Sequence, residues 1–139
     1  MEHNKTITIE TSVKAPIKTV WKMWITPEDI KKWNSASPDW HTTKSENDLR
    51  EGGKFSSRME AKDGSFGFDF GGKYTKVEDQ KHIAFTLDDS RNVTIDFEEK
   101  EGEVHMVETF EPETQNPIDM QRDGWQGILD SFKKYVESK

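Results

Sequence analysis

The chain contains no cysteine. Disulfides, thiolate nucleophiles and cysteine-ligated metals are therefore excluded. Leucine is scarce as well, with only Leu49, Leu87 and Leu129 among 139 residues. No apolar run approaches the length of a membrane span. Met1–Glu10 is polar and then alternating, without the apolar stretch of a secretory leader. The expected setting is cytoplasmic, so Asn4-Lys5-Thr6 and Asn92-Val93-Thr94 read as chance matches to the glycosylation pattern. Clusters of Lys and Arg are missing, and the formal net charge is -7. That balance makes nucleic acid an unsuitable partner and disfavours anionic membranes. Neither Gly52-Gly53 nor Gly71-Gly72 is followed by the Gly-Lys-Ser/Thr arrangement of a phosphate loop. Histidine–carboxylate pairs at helical metal-ligand spacing are lacking, as is Gly-x-Ser-x-Gly. No metal, no cofactor and no serine-hydrolase chemistry is expected.

What the chain does have is aromatic residues. Its hydrophobic fraction is 31% against 34% charged, yet it carries eight Phe and five Trp. Large rings bury much area each and leave irregular gaps between them. They serve either as ordinary filler of a thin core or as the walls of a roomy interior. At 139 residues, positions 1–139 form one expected domain, long enough to bury a core without metals or disulfides.

Thr6 to Val13 alternates, with Ile7, Ile9 and Val13 on one face, which predicts a strand. After Ala15-Pro16, the residues Ile17, Val20, Trp21 and Trp24 recur at helical spacing. Thr26-Pro27-Glu28-Asp29 is a break and restart, with Thr26 as N-cap and Pro27 first in a second short helix ending near Trp33. Asn34 to Asp48 reads as a polar loop carrying Trp40 and His41. Alternating segments follow at Lys54–Ala61, Phe66–Val77, Ile83–Leu87, Val93–Phe97 and Val104–Phe110, separated by turn residues at hairpin spacing. The Gly71-Gly72 pair predicts a bulge or bend. Ile118, Trp125, Ile128, Leu129, Phe132, Tyr135 and Val136 then predict a long amphipathic closing helix. The order is strand, two short helices, about six strands and one long helix, an α+β arrangement of a single antiparallel sheet and a helix lying on its apolar face.

The ordered motifs resemble those of a START-like (SRPBCC) domain, in the branch similar to the activator of the heat-shock-protein-90 ATPase. They are Ala15-Pro16 with Val20-Trp21, Trp24 with Thr26-Pro27-Glu28 and Trp33, and Asp48-Leu49-Arg50-Glu51-Gly52-Gly53-Lys54-Phe55. Asp63-Gly64, Phe70-Gly71-Gly72-Lys73-Tyr74 and Gly124-Trp125 complete the set, which covers essentially the whole chain. The resemblance implies a helix-grip fold, β-α-α-β6-α, with a cavity between a curved sheet and the C-terminal helix. It does not imply one activity, because relatives include lipid carriers, cyclases and chaperone regulators. The eukaryotic chaperone activator carries a further N-terminal domain without a counterpart in these motifs.

Three functions are open on this reading. The first is a binding protein for a small hydrophobic or aromatic molecule, lipid- or polyketide-like. Its expected lining is Trp24, Phe55, Met59, Phe68, Phe70, Phe85, Ile95, Met106, Trp125, Leu129 and Phe132. The second is a chaperone-regulating module. The third is a cyclase- or isomerase-like enzyme in which Glu108 or His105 moves a proton. Alternation over Val104–Phe110 allows two phases: Val104, Met106 and Glu108 inward, or His105, Val107 and Thr109 inward. A structural alternative pairs Glu108 with Arg50 or Arg58. Trp24 and Trp33 either cap a pocket mouth or staple the helices to the sheet. Monomer and homodimer, the latter by pairing of an edge strand, are both compatible with the sequence.

Overall fold

The computed structural model describes residues 6–139, so Asn4 and Lys5 of the first glycosylation-like triplet lie outside the described residues. Strand β1 (Ile7–Val13) leads into helices α1 (Ile17–Ile25) and α2 (Pro27–Trp33). Strands β2 (Trp40–Asn47), β3 (Lys54–Ala61), β4 (Gly67–Glu78), β5 (His82–Leu87), β6 (Asn92–Lys100) and β7 (Glu103–Phe110) follow, and helix α3 (Ile118–Glu137) closes the chain. The strands form one curved antiparallel sheet in the order β1-β7-β6-β5-β4-β3-β2. Consecutive strands are neighbours except β1, which returns to pair with β7.

Alternation fixes which face is buried. In β1, Ile7, Ile9 and Val13 point inward, and in β7 so do Val104, Met106, Glu108 and Phe110. The β1–β7 register sets Ile9 opposite Glu108 and Ile7 opposite Phe110, which removes the choice of phase left open by the β7 sequence. Helix α1 buries Val20 and Trp21, and α2 buries Ile30 and Trp33. Pro27 occupies the first turn of α2, where a missing N–H costs nothing. Thr26 stands at the N-cap position but does not cap with its side chain: its hydroxyl donates to the Lys22 carbonyl at 2.6 Å. In α3 the buried face is Leu129, Phe132 and Val136, with Trp125, Ile128 and Tyr135 packed beside it. Tyr135 Oη donates to Asp29 Oδ1 at 2.5 Å and ties α3 to α2.

Two expectations need correction. Most of the segment from Asn34 to Asp48 is not loop; Trp40–Asn47 is an edge strand paired with β3. The glycine pair at Gly71-Gly72 lies inside a continuous β4, and the register shift comes later, between Tyr74 and Lys76. These glycines are required by close approach. A Cβ on Gly72 would sit 2.4 Å from the Thr86 carbonyl oxygen of β5, a backbone atom that cannot step aside. Gly72→Ala is expected to cost about 1–3 kcal/mol. Gly124→Ala, in α3 with no atom within 4 Å of the added carbon, should instead stabilise by about 1 kcal/mol. Urea unfolding of the pair measures both signs.

Helix α3 follows one edge of the sheet. It lies along β1, where Gln126 Nε2 donates to the Glu10 carbonyl at 3.2 Å and Lys133 Nζ donates to the Ser12 carbonyl at 2.5 Å, occupying acceptors of that edge. Its backbone stands off β2, β3 and β4, with Trp125 reaching Phe70 of β4 through its side chain. The space left there is the interior cavity.

Candidate functional site

The cavity measures about 340 Å³. Its walls come from β3 (Phe55, Ser57, Met59), β4 (Phe68, Phe70, Tyr74), β5 (Ile83, Phe85), the helices α1 and α2 (Trp24, Ile30, Trp33) and α3 (Gln121, Trp125, Ile128). The strand residues share the concave face because they alternate and lie opposite one another: Met59 faces Phe68, and Tyr74 faces Phe85. Trp125 reaches in from α3 and is held by parallel stacking on Phe110, with ring centroids 3.9 Å apart. Phe70 meets the same indole edge-on at 5.9 Å. Trp24 and Trp33 stack at 4.6 Å, and Phe132 packs edge-on against both, so these indoles staple the helices together and also line the cavity.

Polar groups at the wall are mostly tied down. Tyr74 Oη donates to Asn47 Oδ1 at 2.5 Å, and Asn47 Nδ2 donates to the Ile25 carbonyl at 2.7 Å, linking β4 through β2 to the end of α1. Burial pushes the Tyr74 phenol well above its ordinary range. Ser45 and Ser57 share a hydrogen bond at 3.3 Å. On the other side, Gln121 holds the linker before α3: Nε2 donates to the Glu113 and Asn116 carbonyls, and Oε1 accepts from the Glu113 N–H. The Glu113 carboxylate accepts the backbone N–H groups of Asn116 and Gln115 and the Asn116 side chain. Those donors, the Asn116 N–H foremost, hold it below the usual carboxylate range. Arg91 at this wall is engaged by Asp89 at 2.8 Å and by the Glu111 carbonyl.

Glu108 is different. It is only 6% exposed, lines the cavity, and has no hydrogen-bond or ion-pair partner among the described residues. The anticipated partners are occupied elsewhere, Arg50 by Asp48 and Arg58 by Glu60 and Asp69. Burial pushes the Glu108 carboxyl up to about 8. His105 is turned to the outer face, between Ser12 (Nδ1, 3.1 Å) and Glu10 (Nε2, 2.9 Å), and cannot meet a molecule in the cavity. Of the two acid–base candidates only Glu108 is inside. His41, on β2, does not line the cavity either.

Of the anticipated lining, the structure brings together Trp24, Phe55, Met59, Phe68, Phe70, Phe85 and Trp125. Ile95, Met106, Leu129 and Phe132 are inward but not lining; each is 0% exposed in solid core. Helix α3 packs along the β1 edge of the sheet and covers these residues, whereas the gap opens over β3, β4 and β5 and reaches β7 at Glu108. Phe68 is partly open at 39% exposure, and Phe66 beside it is at 62%, so these rings lie toward the open side. Trp33, expected only as a cap at the pocket mouth or a staple, lines the cavity as well, and Ile30, Asn47, Tyr74, Ile83, Gln121 and Ile128 were not anticipated as lining. For Tyr74 and Ile83 the signal was available, since both are in phase with the residues that were.

Comparison with known proteins places this geometry in a family. Residues 14–137 match the family described as activator of Hsp90 ATPase homolog 1-like protein. The chain is similar to an AHSA1-like protein from Aeromonas hydrophila, known from a solution structure, with 47% identity and a TM-score of 0.91 over 96% of this chain and 93% of that one. A protein of Cytophaga hutchinsonii is also 47% identical, with a TM-score of 0.83 over 96% and 92% of the two chains. A Chromobacterium violaceum protein, at 23% identity and a TM-score of 0.85 over 96% and 98%, shares the fold. A search of curated proteins finds no match. Among the described residues no helix is long and apolar enough to cross a membrane. With the helix-grip architecture and the profile match spanning nearly the whole chain, the protein belongs to the activator of Hsp90 ATPase homolog 1-like family.

Proposed function

We propose that the chain binds a small, largely apolar molecule in the cavity between its sheet and α3. The observation that carries this reading is a pocket of about 340 Å³ whose apolar wall is largely aromatic and whose polar side chains mostly bond to one another or to the backbone. That volume lies within the range of roughly 300–1,000 Å³ common to small-molecule sites. Burial of an apolar ligand supplies affinity at about 25 cal/mol per Å², and the polar groups at the wall orient it. The test is an NMR titration against a library of lipids and aromatic compounds. Shifts should concentrate on Phe55, Phe70, Phe85 and Trp125; shifts confined to the outer sheet face would dismiss the reading. Ser57→Phe, which fills the pocket from a 5% exposed wall position, should weaken binding at least about tenfold.

A second reading is supported more directly by the comparisons than the first: a chaperone-regulating module. The matched family is described as activator of Hsp90 ATPase homolog 1-like, and the Aeromonas relative as AHSA1-like. A net charge of -7 suits approach to a basic partner surface, with a rate that falls as salt is added. Stimulation of a bacterial Hsp90-type ATPase by excess protein would support it, and an unchanged rate would dismiss it. Ser57→Phe separates the two readings, since it blocks the cavity while leaving the outer surface intact.

A further inference from the structure

Glu108 sits on the inward face of β7 between Ile9 of β1 and Ile95 of β6, with Met106 and Phe110 along its own strand. No N–H or O–H donor among the described residues reaches its carboxyl, whose oxygens open on the cavity instead of being sealed in the core, and no arginine pairs with it. A polar group so placed is costly unless something completes it. A neutral contact could be supplied equally well by an amide or a hydroxyl. What a carboxyl adds is the ability to give up its proton and accept a cation.

The surroundings suit a cation that carries its own donors. Trp125, stacked on Phe110, brings an indole to the inward face of β7, and Phe55, Phe70 and Phe85 add aromatic rings to the same cavity. Ring faces attract ammonium groups within about 6 Å. An ammonium supplies the N–H donors that the protein withholds, and the charged hydrogen bond is about twice as strong as a neutral one. The net charge of -7 also favours approach of a cation.

We propose that the cavity selects hydrophobic amines: an aromatic or alkyl body among the rings, with one ammonium nitrogen on the Glu108 carboxylate. This rests on the small-molecule reading above. The proton balance is explicit. Where Glu108 is protonated in the free protein, binding an ammonium releases that proton to solvent and leaves a carboxylate–ammonium pair. Since burial raises the Glu108 carboxyl to about 8, amine affinity should climb by up to about tenfold per pH unit below that point and then level. A neutral acceptor such as a ketone would show the opposite, constant affinity that falls above it. The other charged or titratable groups at the cavity are Glu46 of β2, Tyr74 of β4, Arg91 of the β5–β6 turn and Glu113 of the linker, while Ile9 and Ile95 face Glu108 from its neighbouring strands.

Calorimetric titration with phenylbutylamine, phenylbutanol and pentylbenzene at about pH 6, 7 and 8 tests the proposal. The amine should bind about tenfold tighter than pentylbenzene at pH 8, lose that advantage toward pH 6, and release close to one proton at pH 6–7 when buffers of different ionisation heat are compared. In Glu108→Gln the amine-to-hydrocarbon affinity ratio should fall toward one. Equal binding of amine and hydrocarbon at pH 8, or binding without proton release, overturns the inference while leaving the cavity reading standing. If none of the three probes binds, the cavity reading fails and the inference with it. Proton release is measured on the unaltered protein, so the test does not depend on how well the variant folds.

Discussion

Phe132→Ala is expected to remove about 3–5 kcal/mol of folding stability, the range for truncating a fully buried aromatic ring. Phe132 is 0% exposed and stands edge-on to Trp24 and Trp33, with both centroid distances 4.9 Å. Its loss removes a ring from the joint where α1, α2 and α3 meet. Edge-on pairs add about 0.5–1.5 kcal/mol each beyond the area they bury. Domains of this size have total stabilities of about 5–15 kcal/mol, so the variant should be near the limit of cooperative folding. Urea unfolding followed by tryptophan fluorescence reads the effect directly. A cost below about 1.5 kcal/mol would mean that the helices are held by other contacts, and would contradict the packing described.

The same joint explains how a cavity survives in an otherwise solid interior. Leu129, Phe132 and Val136 anchor the C-terminal half of α3, while its N-terminal half is braced by Trp125 on Phe110 and by the Gln121 linker contacts. The helix is thus fixed at both ends and cannot settle onto β3 and β4. Side chains beneath it remain at the edge of empty space, because closing the gap would break the stacking that holds Trp125.

Much of this was legible in the sequence, for definable reasons. Strands β1, β5, β6 and β7 bury one face and expose the other, so their apolar residues alternate, and the spacing of Leu129, Phe132 and Val136 marks the helix. Strand β2 was not legible, because Trp40–Asn47 buries only Thr42 and presents Ser45 and Asn47 to the cavity. A strand facing a polar patch of pocket wall carries no apolar period. The phase of β7 was left open over Val104–Phe110, although Phe110 itself is in step with Val104, Met106 and Glu108. Ile95 and Met106 were misplaced as lining because alternation reports the inward face, not how far the covering helix stands from it. That distance depends on where α3 lies over the sheet, which no local pattern encodes.

The remaining large effect is a pH dependence written into Glu108. Its carboxyl is pushed from an ordinary 4.5 up to about 8 by burial alone, so between those values the folded chain holds a proton that the unfolded chain has released. Stability contributed through this group is therefore greatest below the unfolded value and is lost as pH rises through the folded one. Replacement by Gln or Leu removes the titration. The stability difference between variant and parent should shift in the variant's favour by about 3 kcal/mol from pH 5.5 to pH 8, at 1.36 kcal/mol per unit of displaced titration. The starting offset differs between the two variants, since a buried amide left unpaired costs about 1–3 kcal/mol and leucine carries no such penalty. The slope should not differ, and histidines on the outer face, such as His105 and His82, cancel in the comparison. Parallel stability curves for parent and Glu108→Leu across this range would show that the carboxyl is already ionised in the folded state, paired or solvated. A saturating amine should flatten the trend for the parent alone, because the bound cation keeps Glu108 ionised in the complex as it is in the unfolded chain, so that no proton is exchanged through this group on unfolding between about pH 6 and 8.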